Sequence, residues 1–208
     1  MADSEQTIST APIELPPLPA DVIAIVPMRN VVLFPGVVLP ITVGREESIA
    51  AAQEAVRTGR KVGILLQRDP SVEKPRARDL YEIGVLASVV RYVTAPDGTH
   101  HMVCQGESRF RLTELVRETP FLAGRIETLA EVGAAGSDVE ARLEVLKERA
   151  SEALALLPQV PAELTRTIQS IQSASQLADL IVSFMDVKPA EKQEMIETLD
   201  LKEGSTRC

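Results

Sequence analysis

Two histidines and a nearby cysteine are the residues whose types could do metal or nucleophilic chemistry in this sequence. His100 and His101 are adjacent, and Cys104 follows His101 by three residues. Adjacent residues of a strand point to opposite faces of a sheet, so the two imidazoles are badly placed to bind one metal ion. A tetrahedral site would also need further ligands that this stretch lacks. We predict hairpin histidines and a buried cysteine, with no metal site.

The sequence also lacks the motifs that mark nucleotide-binding and hydrolytic sites. Neither G-x-x-x-x-G-K-[ST] nor G-x-G-x-x-G occurs, and G-x-S-x-G and H-E-x-x-H are absent too. Glu144, Glu148 and Glu152 recur every four residues and alternate with basic residues, which is typical of a solvated helix face. These observations predict a protein that is not an enzyme and has no cofactor.

Composition narrows the class of protein further. The 208 residues include 22 basic and 30 acidic side chains, a formal net charge of −8. Nucleic acid is therefore not expected as a partner, because phosphate neutralisation requires a dense basic field. No apolar run approaches the ~20 residues of a membrane-spanning helix, and the first residues do not resemble a secretory signal. We predict a cytoplasmic protein with no membrane contact.

The elements that would position these residues are mostly strands in the first part of the chain. Pro40 favours an edge position or a bulge in its strand, and Pro96-Asp97-Gly98 predicts the turn of a β-hairpin. A helix is predicted over Gly44–Arg57, with Ile49, Ala52 and Val56 on one face and Gly59 as the stop signal. The predicted strands are Val22–Val26 (stopped by Pro27), Val37–Val43, Lys61–Gln67, Tyr81–Thr94, Thr99–Gln105, Arg109–Val116 and Leu122–Leu129.

The second part of the chain changes to a helical period. Ser137 with Glu140, and Ser173 with Gln176, form capping boxes ahead of apolar stripes. Pro189 fits the first turn of a last helix. We predict an α+β protein with a small closed or half-closed barrel followed by a helical bundle. The predicted boundaries are a disordered proline-rich arm over 1–20, a barrel subdomain over 21–132, a bundle over 133–200 and a flexible tail over 201–208.

One long stretch carries a family resemblance. Residues 25–49 contain P-M-R-N-V-V-L-F-P-G followed by V-G-R-E-E-S, which resembles the opening of the amino-terminal domain of bacterial Lon protease. Later matches include Glu82-Ile83-Gly84 and Pro96-Asp97-Gly98-Thr99, so the resemblance spans roughly residues 22–200. It implies a PUA-like β-barrel with one helix, followed by an α-helical bundle.

The resemblance also implies a function. In the Lon family these parts precede a AAA+ ATPase and a Ser-Lys protease domain, and this sequence contains neither P-loop nor P-K-D-G-P-S-A-G. The tail at 202–208 departs from the family, which suggests a fragment or a shortened gene product. The implied role is a non-catalytic module that binds unfolded or degron-bearing polypeptides and contacts the ATPase domain of a homohexameric parent, with weak self-association.

The residues predicted to hold polypeptide lie in one loop and at the start of the first helix. They are Val31, Val32, Phe34, Val37, Val38, Arg45, Glu46 and Glu47. In the alternative interpretation, Phe34 fills the barrel mouth and Arg45 pairs internally. Two other functions stay open: a free-standing regulatory or adaptor protein of the Lon-domain type, and an RNA-binding PUA-like protein, which six aromatic residues and a near-neutral first half disfavour.

Overall fold

The computed structural model describes residues 16–130, 144–145, 147–149, 168–171 and 173–204, with side chains to residue 198. The predicted helix starting at Ser137 and the joint at 133–136 lie outside these residues, apart from helical pieces at 144–145 and 147–149. The elements with assigned bounds are β1 (Val22–Met28), β2 (Val38–Val43), α1 (Glu46–Thr58), β3 (Val62–Leu66), β4 (Ile83–Thr94), β5 (His100–Arg117), β6 (Ala123–Thr128), α2 (Ala174–Phe184) and α3 (Pro189–Gly204).

The strands form one six-stranded sheet in the order β2-β5-β4-β3-β1-β6, and β5 also pairs with β6. The β1–β3 pair is parallel and the other pairs are antiparallel. Strands β1, β3, β4 and β6 therefore have two neighbours each, and β5 has three. These five strands form a ring of pairings, while β2 extends outward from β5. The chain is a mixed α/β fold in which β5 belongs to the ring and also carries the added strand β2.

The strand that serves both parts is β5, which continues through a stretch where the sequence predicted a break. Its first half pairs with β2 from Val38↔Gln105 to Val43↔His100, and its second half pairs with β6. Gly106 lies between the halves, where a Cβ atom would come within 2.2 Å of the Phe34 carbonyl oxygen. The glycine is thus needed for a close backbone approach inside the strand. The prediction of two separate strands was wrong here.

Pro27 also lies inside a strand, although the sequence predicted that it would stop one. It pairs with Leu65 in the parallel β1–β3 register. On its other side, β1 pairs with β6 only over residues 22–24. Because this end of β1 has a neighbour on one side only, a residue without an N–H group can be accommodated.

Helix α1 confirms the predicted element but buries a different face. The buried residues are Ser48, Ala51, Ala52 and Ala55, whereas Val56 is 48% exposed. Small side chains let the helix approach the sheet closely. The helix therefore turns its alanines toward the sheet and leaves the larger Val56 outside. Gly59 ends the helix with φ 65°, in the left-handed conformation that glycine adopts without strain.

The helices after residue 168 are fastened to the sheet by polar contacts. The Ser173 hydroxyl accepts from the Gln176 N–H at 3.1 Å, as the predicted cap requires. Beyond the cap, the buried Asp179 carboxylate accepts from the Arg109 guanidinium of β5 at 2.5 Å. On α3, the buried Gln193 amide donates to the Ile83 carbonyl of β4 at 2.9 Å. The two helices are thus tied to β4 and β5.

The end of the predicted N-terminal arm is also held. The Arg60 guanidinium donates to the carbonyl oxygens of Leu18, Pro19, Ala20 and Val22 at 2.7 to 3.2 Å. Contacts therefore begin before Asp21, where the sequence placed the start of order. At the other end of the chain, α3 continues to Gly204, into the segment predicted as a flexible tail.

Breaking the buried Arg109–Asp179 ion pair should destabilise the fold strongly. Asp179→Asn leaves the buried guanidinium without its counter-charge, which we expect to lower the free energy of unfolding by about 3–5 kcal/mol. Urea unfolding followed by circular dichroism measures this change. Arg125→Gln, which removes an exposed partner of Asp21 and Glu114, is the matched control and should leave the midpoint nearly unchanged. Equal midpoints for both variants would contradict the assignment.

Candidate functional site

Beyond the ring, β4, β5 and β2 form a three-stranded extension whose two faces differ in burial. Residues directly opposite each other in antiparallel strands point to the same face of the sheet. The register therefore defines one face, called the outer face below. Its residues, in three rows across the strands, are Val38, Gln105 and Ser88; Pro40, Val103 and Arg91; and Thr42, His101 and Val93.

The opposite face of the extension is packed. Ile41, Val43, Met102 and Cys104 are buried there in the same cluster as the buried residues of α1. Tyr92 lies beside Met102 in the register and is half-buried against the same cluster. Since this face is occupied by the protein's own core, the extension has only its outer face to offer to another molecule.

The outer face is apolar at its centre and carries little charge. Val38 is 54% exposed and Val93 is 40% exposed, and Pro40 and Val103 lie between them. Val90, at a register irregularity of β4 next to these rows, is 61% exposed. Apart from His101, Arg91 is the one titratable residue of the three rows. Contiguous exposed apolar residues of this kind are typical of protein-interaction surfaces.

A cleft of about 480 Å³ lies at the carboxyl end of β2. Residues from two parts of the Lon-like stretch at 25–49 meet there. Its lining consists of Val26, Pro27, Met28, Arg29, Asn30, Val31, Thr42, Val43, Gly44, Arg45 and Ser48. The folding of the sheet thus brings together two parts of this stretch that are separated by the loop and by β2.

Arg45 joins this cleft to a second one of about 210 Å³. One of its terminal nitrogens donates to the Gln67 side-chain oxygen, and the other is buried without a partner in the described structure. Burial, and to a lesser extent the positive charge of Arg29, lowers the pKa of the Arg45 guanidinium. The side chain is therefore anchored inward and helps to fix the loop rather than project from it.

The structure spreads the predicted polypeptide-binding residues over buried and exposed positions. Phe34 is 1% exposed and belongs to the core, so it provides no exposed apolar surface. Val31, Val32 and Val37 are half-buried, and Val37 also packs against the cluster formed by Ile168, Ile171, Leu177 and Leu180. The burial of Phe34 and the bond from Arg45 to Gln67 are in line with the alternative in which Phe34 fills the barrel mouth and Arg45 pairs internally.

The other predicted residues lie nearer the surface. Val38 is on the outer face, Glu46 is exposed, and Glu47 is half-buried with the Lys74 ammonium at 3.7 Å. Among the predicted residues, Val38 is therefore the one that coincides with the apolar surface. Binding by the predicted set as a whole stays a prediction.

Sequence reasoning missed that Pro40, Val93 and Val103 lie together on the outer face. The hairpin turn fixes which residues of β4 and β5 face each other, so their pairing could have been inferred. Their exposure could not, because apolar residues occupy both faces, as the neighbours Met102 and Val103 illustrate. The exposed face of such a strand is decided by which of its two sides packs into the buried cluster.

The residues with chemical potential lie apart from one another. The His100 ring contacts the Tyr92 hydroxyl at 2.8 Å, and the His101 ring contacts the Thr42 hydroxyl at 3.2 Å. Within the described residues, no group of three or more His, Cys, Asp or Glu residues is placed to hold a metal ion. None of the described helices has the length and hydropathy needed to cross a membrane.

Comparisons with known proteins match most of this chain to one family of domains. Residues 22–208 match the family model described as the ATP-dependent protease La (LON) substrate-binding domain. The chain is 47% identical over 182 residues to the Lon protease of Methylocella silvestris, covering 88% of this chain and 22% of that protein. It is 46% identical over 185 residues to the Lon protease of Paraburkholderia phytofirmans, covering 88% and 23%.

A solved structure gives the same result at the level of the fold. The N-terminal domain of Mycobacterium avium complex Lon protease superposes with a TM-score of 0.61 at 18% identity, covering 90% of this chain and all of that one. The chain thus spans less than a quarter of the length of the two full-length relatives above. The matching family model describes a substrate-binding domain, not a catalytic one.

The Cys104 thiol should be inert in the folded protein. Burial raises its pKa from 9.0 to about 11, so the thiol stays protonated at pH 8. In a Cys208→Ser variant, we expect 5,5′-dithiobis(2-nitrobenzoic acid) to modify Cys104 at pH 8 only after urea unfolds the chain. The absorbance of the released thiolate measures the reaction. Rapid modification of the folded variant would contradict the burial of this residue.

Proposed function

The chain belongs to the family of Lon substrate-binding domains, and from this premise we propose that its outer face binds unfolded or damaged polypeptides. The bound segments would be delivered to a AAA+ unfoldase and a Ser-Lys protease that this sequence does not contain. The observation that supports the proposal most directly is the exposure of Val38 and Val93 on one sheet face, on either side of the exposed Pro40 and the half-buried Val103.

The physical chemistry of this surface suits clients of many sequences. Apolar area removed from water contributes about 25 cal/mol per Å² and requires no particular geometry. Folded proteins bury their apolar segments, whereas unfolded or damaged chains expose them, so such a surface selects by folding state. The outer face carries few charges, chiefly Arg91 and the Glu107 carboxylate beside Ser88, which limits the rejection of clients through like-charge contacts.

The proposal also covers the barrel, the helical bundle and the parent protease. The ring formed by β1, β3, β4, β5 and β6 is interpreted as a PUA-like β-barrel, and the helices from residue 168 onward as part of an α-helical bundle. The bundle is the candidate contact for the ATPase domain of a homohexameric, cytoplasmic parent protease. The net charge of −8 supports polypeptide rather than nucleic acid as the partner.

The outer face can be tested with a charge-insertion experiment. The double variant Val38→Asp/Val93→Asp places two carboxylates on the face, and we expect it to weaken the binding of reduced, carboxymethylated α-lactalbumin by roughly tenfold or more. Fluorescence anisotropy of the labelled client measures the affinity, and native α-lactalbumin should bind neither protein.

Val56→Asp/Val116→Asp is the matched control, because these valines are 48% and 43% exposed outside the outer face. It should bind as the wild-type protein does. Equal losses in both double variants would contradict the proposed site. A loss seen instead in Glu46→Lys would assign binding to the loop and the start of α1, as the sequence predicted.

A further inference from the structure

The backbone of β2 has one hydrogen-bonded edge and one outward edge. Gly106 of β5 donates to the Val37 carbonyl and accepts from the Gly36 N–H, each at 2.9 Å, so its polar groups face the β2 side. Backbone groups alternate sides along an antiparallel strand, so Cys104, Met102 and His100 face β2 as well. Their register partners Leu39, Ile41 and Val43 complete this ladder.

The β2 residues that alternate with Leu39, Ile41 and Val43 point their backbone groups away from β5. Val38, Pro40 and Thr42 therefore direct their carbonyls to the outward edge, and Val38 and Thr42 also direct their N–H groups there. Proline has no N–H group, and its presence at the middle position agrees with this assignment because no bond to β5 is lost. Within the described part of the chain, β2 pairs with no strand other than β5.

We propose that a client polypeptide binds by adding an extended strand to the outward edge of β2. This inference rests on the proposed function and specifies how the same surface recognises its clients. The carbonyls of Val38, Pro40 and Thr42 accept from client amides, and the N–H groups of Val38 and Thr42 donate to client carbonyls. Alternate client side chains then continue the outer face beside Val38 and Pro40.

The chemistry of the edge favours an extended client chain as the occupant. A row of carbonyls and amides at strand spacing is complementary to another extended backbone, whatever its side chains. Main-chain recognition therefore provides sequence-independent binding, and the apolar face beside it requires only that some client side chains be apolar. Unfolded chains meet both conditions, whereas folded proteins have their backbones already paired.

A second copy of this chain is a poorer occupant of the same edge. A stable protein–protein interface needs roughly 20–30 residues from each partner, far more than a six-residue strand offers. Antiparallel pairing of β2 with itself about Pro40 would also oppose two prolines, so neither could donate at the centre. A client residue opposite Pro40 does donate, which gives the client one bond that the second copy lacks.

The proposal predicts opposite effects of two substitutions in the full chain. Pro40→Val adds an outward donor and should strengthen binding, whereas Thr42→Pro removes one and should weaken it, each by roughly two- to tenfold. Thr42→Val is the matched control, since it keeps the N–H group and, like the proline, loses the hydroxyl contact with His101. The probe is a labelled peptide of alternating valine and threonine, flanked by glutamates, and fluorescence anisotropy gives its affinity.

A change in the peptide tests the same bonds from the other side. Replacing two adjacent central amides by esters removes one donor from each edge of the peptide and leaves its side chains intact. We expect wild-type protein to bind this ester peptide roughly two- to tenfold more weakly. If Thr42→Pro fails to fold by circular dichroism, Pro40→Val and the ester peptide decide the question.

Two results would overturn strand addition. One is peptide affinity that is unchanged both for Pro40→Val and for the ester peptide. The other is a Pro40→Val protein that dimerises in sedimentation without binding the peptide better, which would assign the edge to a second copy. If wild-type protein binds neither the peptide nor reduced α-lactalbumin, the proposed function itself fails, and the two failures are thereby distinguished.

Discussion

The arrangement of this protein depends on the hydrogen bonding of a single strand, β5, with three neighbours. Over its 18 residues it pairs with β4 on one side, and on the other side first with β2 and then with β6. Register irregularities at Leu112/Glu114 and Leu115/Arg117 lie in the half that pairs with β6. This one strand therefore completes the ring of pairings and also supports the extension.

The outer face is exposed because β5 pairs with β2 beyond the ring. The ring encloses its own apolar residues, and the inner side of the extension packs into one buried cluster that includes Ala51, Ala52 and Ala55 of α1. No described element covers the other side, and the sheet order leaves β2 at the margin. Apolar residues such as Val38 and Val93 are thus exposed because of the topology, although in a closed two-layer sheet they would be ordinary core residues.

Local sequence signals predicted the elements well where a single residue type decides the conformation. Gly59 ended α1 and Pro189 began α3 as expected, and Pro40 marked the edge strand. Prediction failed where tertiary contacts decide, as at Gly106, which continues β5 because the Phe34 carbonyl approaches it. For the same reason the buried face of α1 was misplaced, since close contact with the sheet favours alanine over Val56. The candidate site follows from such contacts and could be only partly predicted.

The side-chain bridges between the helices and the sheet have a mechanical meaning. Asp179 grips β5 through Arg109, and Gln193 grips β4 at Ile83. A force applied along α3 is therefore transmitted through these contacts to β4 and β5. The other ends of these two strands carry Val93 and His101. Under the proposed function, a force applied to the helices would therefore reach the strands that carry the outer face.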